Sequence, residues 1–120
     1  MNDTTKPRKV LVVEDIALIR MTTVDMVNEI GFDTVEAGDG AEALAILQKE
    51  SNVEILLTDL GLPGMNGRQL VEEALRFKPT LKVIIASGYS IKDGDSGPKD
   101  VIKLTKPFDL VALRRALESV

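Results

Sequence analysis

The sequence predicts an α/β fold, a five-stranded parallel sheet covered by helices on both faces. Short β-branched and apolar runs alternate along the chain with stretches whose apolar residues recur at helical spacing. Such runs are the pattern of strands buried on both sides, which parallel sheets require. A further observation points to a site: four runs end in reactive groups, at Glu14-Asp15, Asp59, Ser87 and Lys106.

Taken in order, residues 1–8 are polar and aperiodic and are expected to form a flexible end, with residues 9–120 as one domain. Lys9 to Val13 reads as the first strand. Ile16, Ile19, Met26, Val27 and Ile30 mark a helix, with Asp15 expected as its N-cap and Gly31 as its stop. A short strand from Thr34 to Ala37 follows. Asp39 with Glu42 then forms a capping-box-like start for a helix through Gln48.

The third strand runs from Glu54 to Thr58 and leads through Asp59 into the turn Gly61-Leu62-Pro63-Gly64. Asn66 and Gln69 form a second capping pair, opening a helix to about Phe77 that Pro79 ends. Leu81 to Ala86 and Val101 to Thr105 read as the last two strands. Leu110, Leu113 and Leu117 give the final helix an inward face. Between the last two strands, Ser90 to Asp100 carries Gly94, Gly97 and Pro98 without a helical stripe, so the fourth helix is expected to be short or irregular.

Composition narrows the function. At 120 residues the chain fits one domain. No apolar stretch is long enough to cross a bilayer, and the first residues lack a signal peptide's apolar core. With no cysteine and a formal charge of −4, a cytoplasmic protein without membrane or nucleic-acid binding is expected. The absence of histidine excludes His-based acid–base catalysis, Ser-His-Asp triads and the usual zinc sites. Any phosphohistidine in this protein's chemistry must therefore belong to a partner.

A flavodoxin-like (βα)5 sheet takes the strand order 2-1-3-4-5, which makes the first and third strands neighbours roughly 5 Å apart. Glu14, Asp15 and Asp59 then meet at the C-terminal edge. Three carboxylates in one pocket repel unless a cation intervenes, and Mg²⁺ suits oxygen ligands of this kind, with the Gly61 carbonyl as a further donor. Ser87 lies on the adjacent strand, and Lys106 two strands away has a stem long enough to approach Asp59. Three acids, one lysine and one Mg²⁺ sum to zero formal charge, a layout suited to receiving a phosphoryl group. Each piece alone has an ordinary reading as a strand-end acid, a cap, a turn hydroxyl or a solvated lysine. Their coincidence does not.

These residues resemble the response regulator receiver domain of two-component signalling, the CheY-like family. The resemblance covers nearly the whole chain from Lys9. It rests on Glu14-Asp15, on Thr58-Asp59-Leu60-Gly61-Leu62-Pro63-Gly64-Met65-Asn66-Gly67, on Ala86-Ser87-Gly88 and on Lys106-Pro107-Phe108. It implies that Asp59 is the phosphoacceptor, that Glu14, Asp15, Asp59 and the Gly61 carbonyl bind Mg²⁺, and that Ser87 and Lys106 bind phosphoryl oxygens. It also implies a histidine kinase or histidine phosphotransfer protein as donor, an unspecified downstream protein as target, and a cis peptide before Pro107. The protein would be a signalling phosphoacceptor that assists its own Mg²⁺-dependent phosphotransfer and dephosphorylation, and otherwise not an enzyme.

Two features depart from the family pattern. Lys103 occupies the usual aromatic switch position, and the glycine-rich stretch precedes the fifth strand. Tyr89, the only tyrosine and close to Ser87, is the expected substitute in the switch with Ser87 and Lys103. The alternatives are a receiver fold used only for docking, an aspartyl phosphatase and a flavodoxin-like electron carrier. The phosphatase would need an aspartate where Gly61 stands, and a flavin phosphate would be repelled by the acids after the first strand.

Overall fold

Alternate residues of a strand point to opposite faces, so a strand covered on both sides must be apolar at every position. The computed structural model describes residues 8–88 and 101–120, and its three central strands follow this rule while the two edge strands carry polar residues. Its elements are β1 (Lys9–Val13), α1 (Ala17–Ile30), β2 (Asp33–Ala37), α2 (Gly40–Lys49), β3 (Val53–Asp59), α3 (Gly67–Phe77), β4 (Lys82–Ser87), β5 (Ile102–Thr105) and α4 (Leu110–Glu118). All strand pairs are parallel, in the order β2-β1-β3-β4-β5. The doubly wound sheet expected from the sequence is therefore present. The flexible end, apart from Arg8, the irregular fourth helix and Tyr89 fall outside the described residues.

Two apolar layers result. Leu11, Val13, Leu56, Val83 and Ile85 project to one face, where Ala43 and Leu47 of α2 and Leu70, Val71 and Ala74 of α3 cover them. Val10, Val12, Ile55, Leu57, Ile84, Ala86 and Leu104 project to the other, against Val24 and Val27 of α1 and Leu113, Ala116 and Leu117 of α4. Fully burying one such side chain is worth about 1.5–3 kcal/mol, so these layers dominate the stability of the sheet. Among the described residues, no helix is long and apolar enough to cross a membrane.

The helix ends show where the local reading succeeds. Asn66 accepts the Gln69 N–H at 2.9 Å and Gln69 returns the bond to the Asn66 N–H at 3.0 Å, a complete capping box. Asp39 caps α2 through the Glu42 N–H, but the Glu42 carboxylate reaches past it to the Gly38 N–H at 2.8 Å. Gly31 ends α1 with a φ of 118°, a left-handed conformation that favours glycine. Asp109, unremarked in the sequence, caps α4 through the Ala112 N–H at 2.9 Å.

Two expectations are corrected in α1. Asp15 is not its N-cap: Ile16 holds that position, with no side-chain capping bond. The physical reason is that Ile16 is extended, with φ −88° and ψ 112°, so the helix begins at Ala17 and Asp15 stands one residue too early to cap it. Ile16 also does not face the core, being 52% exposed, and the buried residues of the helix are Thr23, Val24 and Val27.

Replacing Asn66 with Ala removes one half of the only reciprocal box among the described helices. The expected loss is about 1 kcal/mol of stability. Urea denaturation will show it as a lower midpoint at an unchanged slope.

Candidate functional site

The alternation that builds the core also aims the functional side chains. Val10 and Val12 project to the α1/α4 face, and Glu14 continues that series two residues on. Ile55 and Leu57 do the same, and Asp59 continues them. Leu104 leads in the same way to Lys106. Three charged residues thus extend three buried rows on one side of the sheet, past its C-terminal edge. They meet at the switch point between β1 and β3, where open α/β sheets place their ligand sites.

The Lys106 Nζ donates to Glu14 Oε1 at 3.0 Å and to Asp59 Oδ1 at 3.3 Å. Its stem crosses the end of β4 to do so, because β5 lies two strands from β3. One carboxylate oxygen each from Glu14, Asp15 and Asp59 lies within 4.8 Å of the others. Glu14 is 4% exposed, Asp59 is half-buried and Asp15 faces solvent.

A charged lysine in this position is opposed and supported at once. Burial lowers its pKa, but the hydrogen bond it donates to Glu14 and the attraction of Asp59 and Glu14 outweigh that, and the ammonium is held above its ordinary 10.5. The acids therefore face a cation that stays charged throughout the neutral range.

Backbone contacts fix the frame. The Leu60 N–H donates to Ala86 O at 3.0 Å and the Lys106 N–H to Ser87 O at 2.7 Å, which continue the β3–β4 and β4–β5 pairing past the strands. The Gly67 N–H donates to Leu60 O at 2.8 Å, folding α3 back onto the strand end that carries Asp59. Gly67 has no room for a side chain: a Cβ there would collide with Asp59 O and lie 2.7 Å from Leu60 Cα. Nothing local in the sequence marks this glycine as the one that lets the helix start touch the site. The Lys106–Pro107 peptide is cis, as the resemblance implies.

The remaining candidates take clear places. Ser87 is buried at the end of β4, one residue beyond Ala86, the register partner of Asp59. It continues the opposite series of Val83 and Ile85, and its neighbour in β5 is Thr105. Gly61 is exposed, two residues past Asp59. Lys103 is exposed on β5, opposite Ile85 and away from the acids along the strand. The sequence predicts an approach of Lys106 to Asp59 and not its bond to Glu14, although the two-residue steps Val10-Val12-Glu14 and Leu104-Lys106 carry that signal.

The donor set fits a small hard cation. Mg²⁺ takes octahedral oxygen ligands at about 2.1 Å, so adjacent ligands stand about 3.0 Å apart and opposite ones about 4.2 Å. The three carboxylate oxygens, within 4.8 Å of one another, would have to draw in around such an ion. Among the described residues, this is the single cluster of acids with such geometry.

Comparison with known proteins agrees with this architecture. Residues 10–118 match the response regulator receiver domain. The chain is 32% identical over 113 residues to sporulation initiation phosphotransferase F of Bacillus subtilis, covering 92% of this chain and 90% of that protein. It is 32% identical over 119 residues to the chemotaxis protein CheY of Thermotoga maritima, covering 94% and 97%. Among solved structures, the CheX–CheY complex with BeF3 and Mg²⁺ from Borrelia burgdorferi superposes with a TM-score of 0.85 at 26% identity, covering 99% of this chain and 92% of that one.

Two measurements probe the frame and the charge balance. Replacing Gly67 with Ala forces the backbone at Asp59 and Leu60 to move and is expected to cost about 2–3 kcal/mol, read by urea unfolding. Because the folded pKa of Lys106 is raised, its contribution to stability is complete below pH 10.5 and is lost as pH rises through the folded value. The stability gap between wild type and Lys106→Met, measured in EDTA, will be constant up to pH 10.5 and shrink above it.

Proposed function

The chain belongs to the response regulator receiver domain family of two-component signalling, and on that premise we propose that Asp59 is the acceptor of a phosphoryl group from a partner's phosphohistidine. The observation that carries this reading is the convergence of Asp59, Glu14 and Lys106 at the β1/β3 switch point, with Lys106 bonded to both acids. The chain has no histidine of its own, which fits a donor supplied by a histidine kinase or a histidine phosphotransfer protein. The complex of the Borrelia relative with BeF3 and Mg²⁺ supports the same chemistry by similarity.

An Asp59 carboxylate oxygen attacks the phosphorus, a P–O bond forms, and the P–N bond to the partner's imidazole breaks. Lys106 keeps its ammonium protonated and donates to the oxygens that gain charge. The Ser87 hydroxyl, at the neighbouring strand end, donates to a phosphoryl oxygen. Glu14, Asp15, Asp59 and the Gly61 carbonyl would hold Mg²⁺, which when bound supplies positive charge against the phosphoryl oxygens. Repositioning of Ser87 then shifts a surface that includes Lys103 on β5, and a downstream protein reads it.

Incubation with acetyl phosphate and Mg²⁺, followed by intact mass measurement, tests the assignment. Wild type gains one phosphoryl group and loses the capacity in EDTA, while Asp59→Asn gains none. If Asp59→Asn is modified as readily as wild type, Asp59 is not the acceptor.

A further inference from the structure

The turn after β1 has a difficult task. It must leave the sheet, start α1, and hold two adjacent acids in a geometry that a small cation will accept. Glu14 is anchored through every polar group it owns. Its N–H donates to Ala37 O at 3.1 Å, which continues the β1–β2 pairing by one residue. Its carboxylate accepts from Lys106 and from the Ile16 N–H. Its carbonyl accepts from Nη1 of Arg20 at 2.7 Å, while Nε of the same guanidinium donates to Glu36 Oε1 at 3.1 Å.

Arg20 therefore spans two structures. It sits in the first turn of α1, reaches back to the carbonyl of the acid pair, and is itself held by Glu36 on β2. Glu36 precedes Ala37, whose carbonyl holds the Glu14 N–H. The planar, forked guanidinium can serve both acceptors at once, which a lysine ammonium on a flexible stem does poorly.

We propose that Arg20 is a positioning residue for cation binding, fixing the Glu14 backbone against β2 so that the acid pair is preorganised for Mg²⁺. The inference rests on the reading that Glu14, Asp15 and Asp59 hold Mg²⁺. Partners that orient metal ligands commonly matter about tenfold or more in metal affinity. Mg²⁺ is sensitive to such orientation because it demands near-octahedral geometry.

Charge and positioning predict opposite signs. As a bare cation near three carboxylates, Arg20 weakens Mg²⁺ binding, so its removal should tighten binding. As a positioning residue it strengthens Mg²⁺ binding, so its removal should loosen it.

The experiment is a Mg²⁺ titration of metal-free wild type, Arg20→Gln and Arg20→Lys, followed by amide NMR, with amide dispersion confirming that each variant is folded. Arg20→Gln is expected to bind Mg²⁺ about tenfold more weakly. Arg20→Lys, which keeps the charge but not the fork, is expected to bind more weakly than wild type as well. Equal or tighter binding by folded Arg20→Gln overturns the proposal. If that variant does not fold, Arg20→Lys decides: an affinity equal to wild type overturns it. If wild type itself shows no Mg²⁺ response, or Asp59→Asn responds identically, the metal reading fails and the role of Arg20 falls with it.

Discussion

The contact of Lys106 with Glu14 and Asp59 is the interaction on which the rest of the site depends. Two unit charges at 4–5 Å interact by about 3–4 kcal/mol at an effective dielectric of 20, so the repulsion between Glu14 and Asp59 is comparable to a sizeable part of a domain's stability. Exposed ion pairs of the Arg76–Glu73 kind, at a helix surface, are worth at most about 1 kcal/mol. Lys106 differs because its side chain is only 24% exposed and Glu14 beside it is nearly sealed from water. A cation is needed there, and the fold supplies one covalently attached to β5.

That supply constrains the sheet. Lys106 can reach Asp59 only if β5 stays aligned with β4, and β4 with β3. The bonds from Leu60 N–H to Ala86 O and from Lys106 N–H to Ser87 O extend this alignment past the strands themselves. Gly67 adds the third tie, since its N–H on Leu60 O and its missing side chain allow α3 to rest on the backbone of Asp59. On the opposite side of the site, Arg20 and Ala37 hold the backbone of Glu14. The two acids thus come from strand ends fixed by separate backbone frames, and Lys106 bridges the frames.

Much of this was legible in the sequence. The apolar runs, the capping pair Asn66 and Gln69, and the stop at Gly31 are local signals, and the structure realises them. The strand-end positions of Glu14, Asp59, Ser87 and Lys106 were equally visible, because a polar residue that ends an apolar run marks the edge of a buried strand. What escaped was set by three-dimensional neighbours. Asp15 has the chemistry of an N-cap, but the chain stays extended through Ile16, so the helix starts one residue too late for it. Arg20 looks like an ordinary helix-surface cation until β2 brings Glu36 beside it. Gly67 carries no local signal, and only the packing of α3 on β3 shows that a methyl group has no space there.

On the proposed function, the same bridge would carry the signal once Asp59 accepts a phosphoryl group. Forming the acyl phosphate would remove the carboxylate's own charge and place negative charge further out, on the phosphoryl oxygens. Lys106 then has a stronger acceptor than Asp59 Oδ1 and a reason to loosen its 3.3 Å contact. Its backbone N–H, however, is already committed to Ser87 O. A change of partner at Nζ is therefore felt at the join of β4 and β5, the strand pair that carries Ser87 and Lys103. Because the core beneath these strands is close-packed, such a change would be met by exchange of one arrangement for another and not by gradual deformation. On that reading, the charge bridge that makes the acid cluster tolerable would also be the lever that couples its occupancy to the surface.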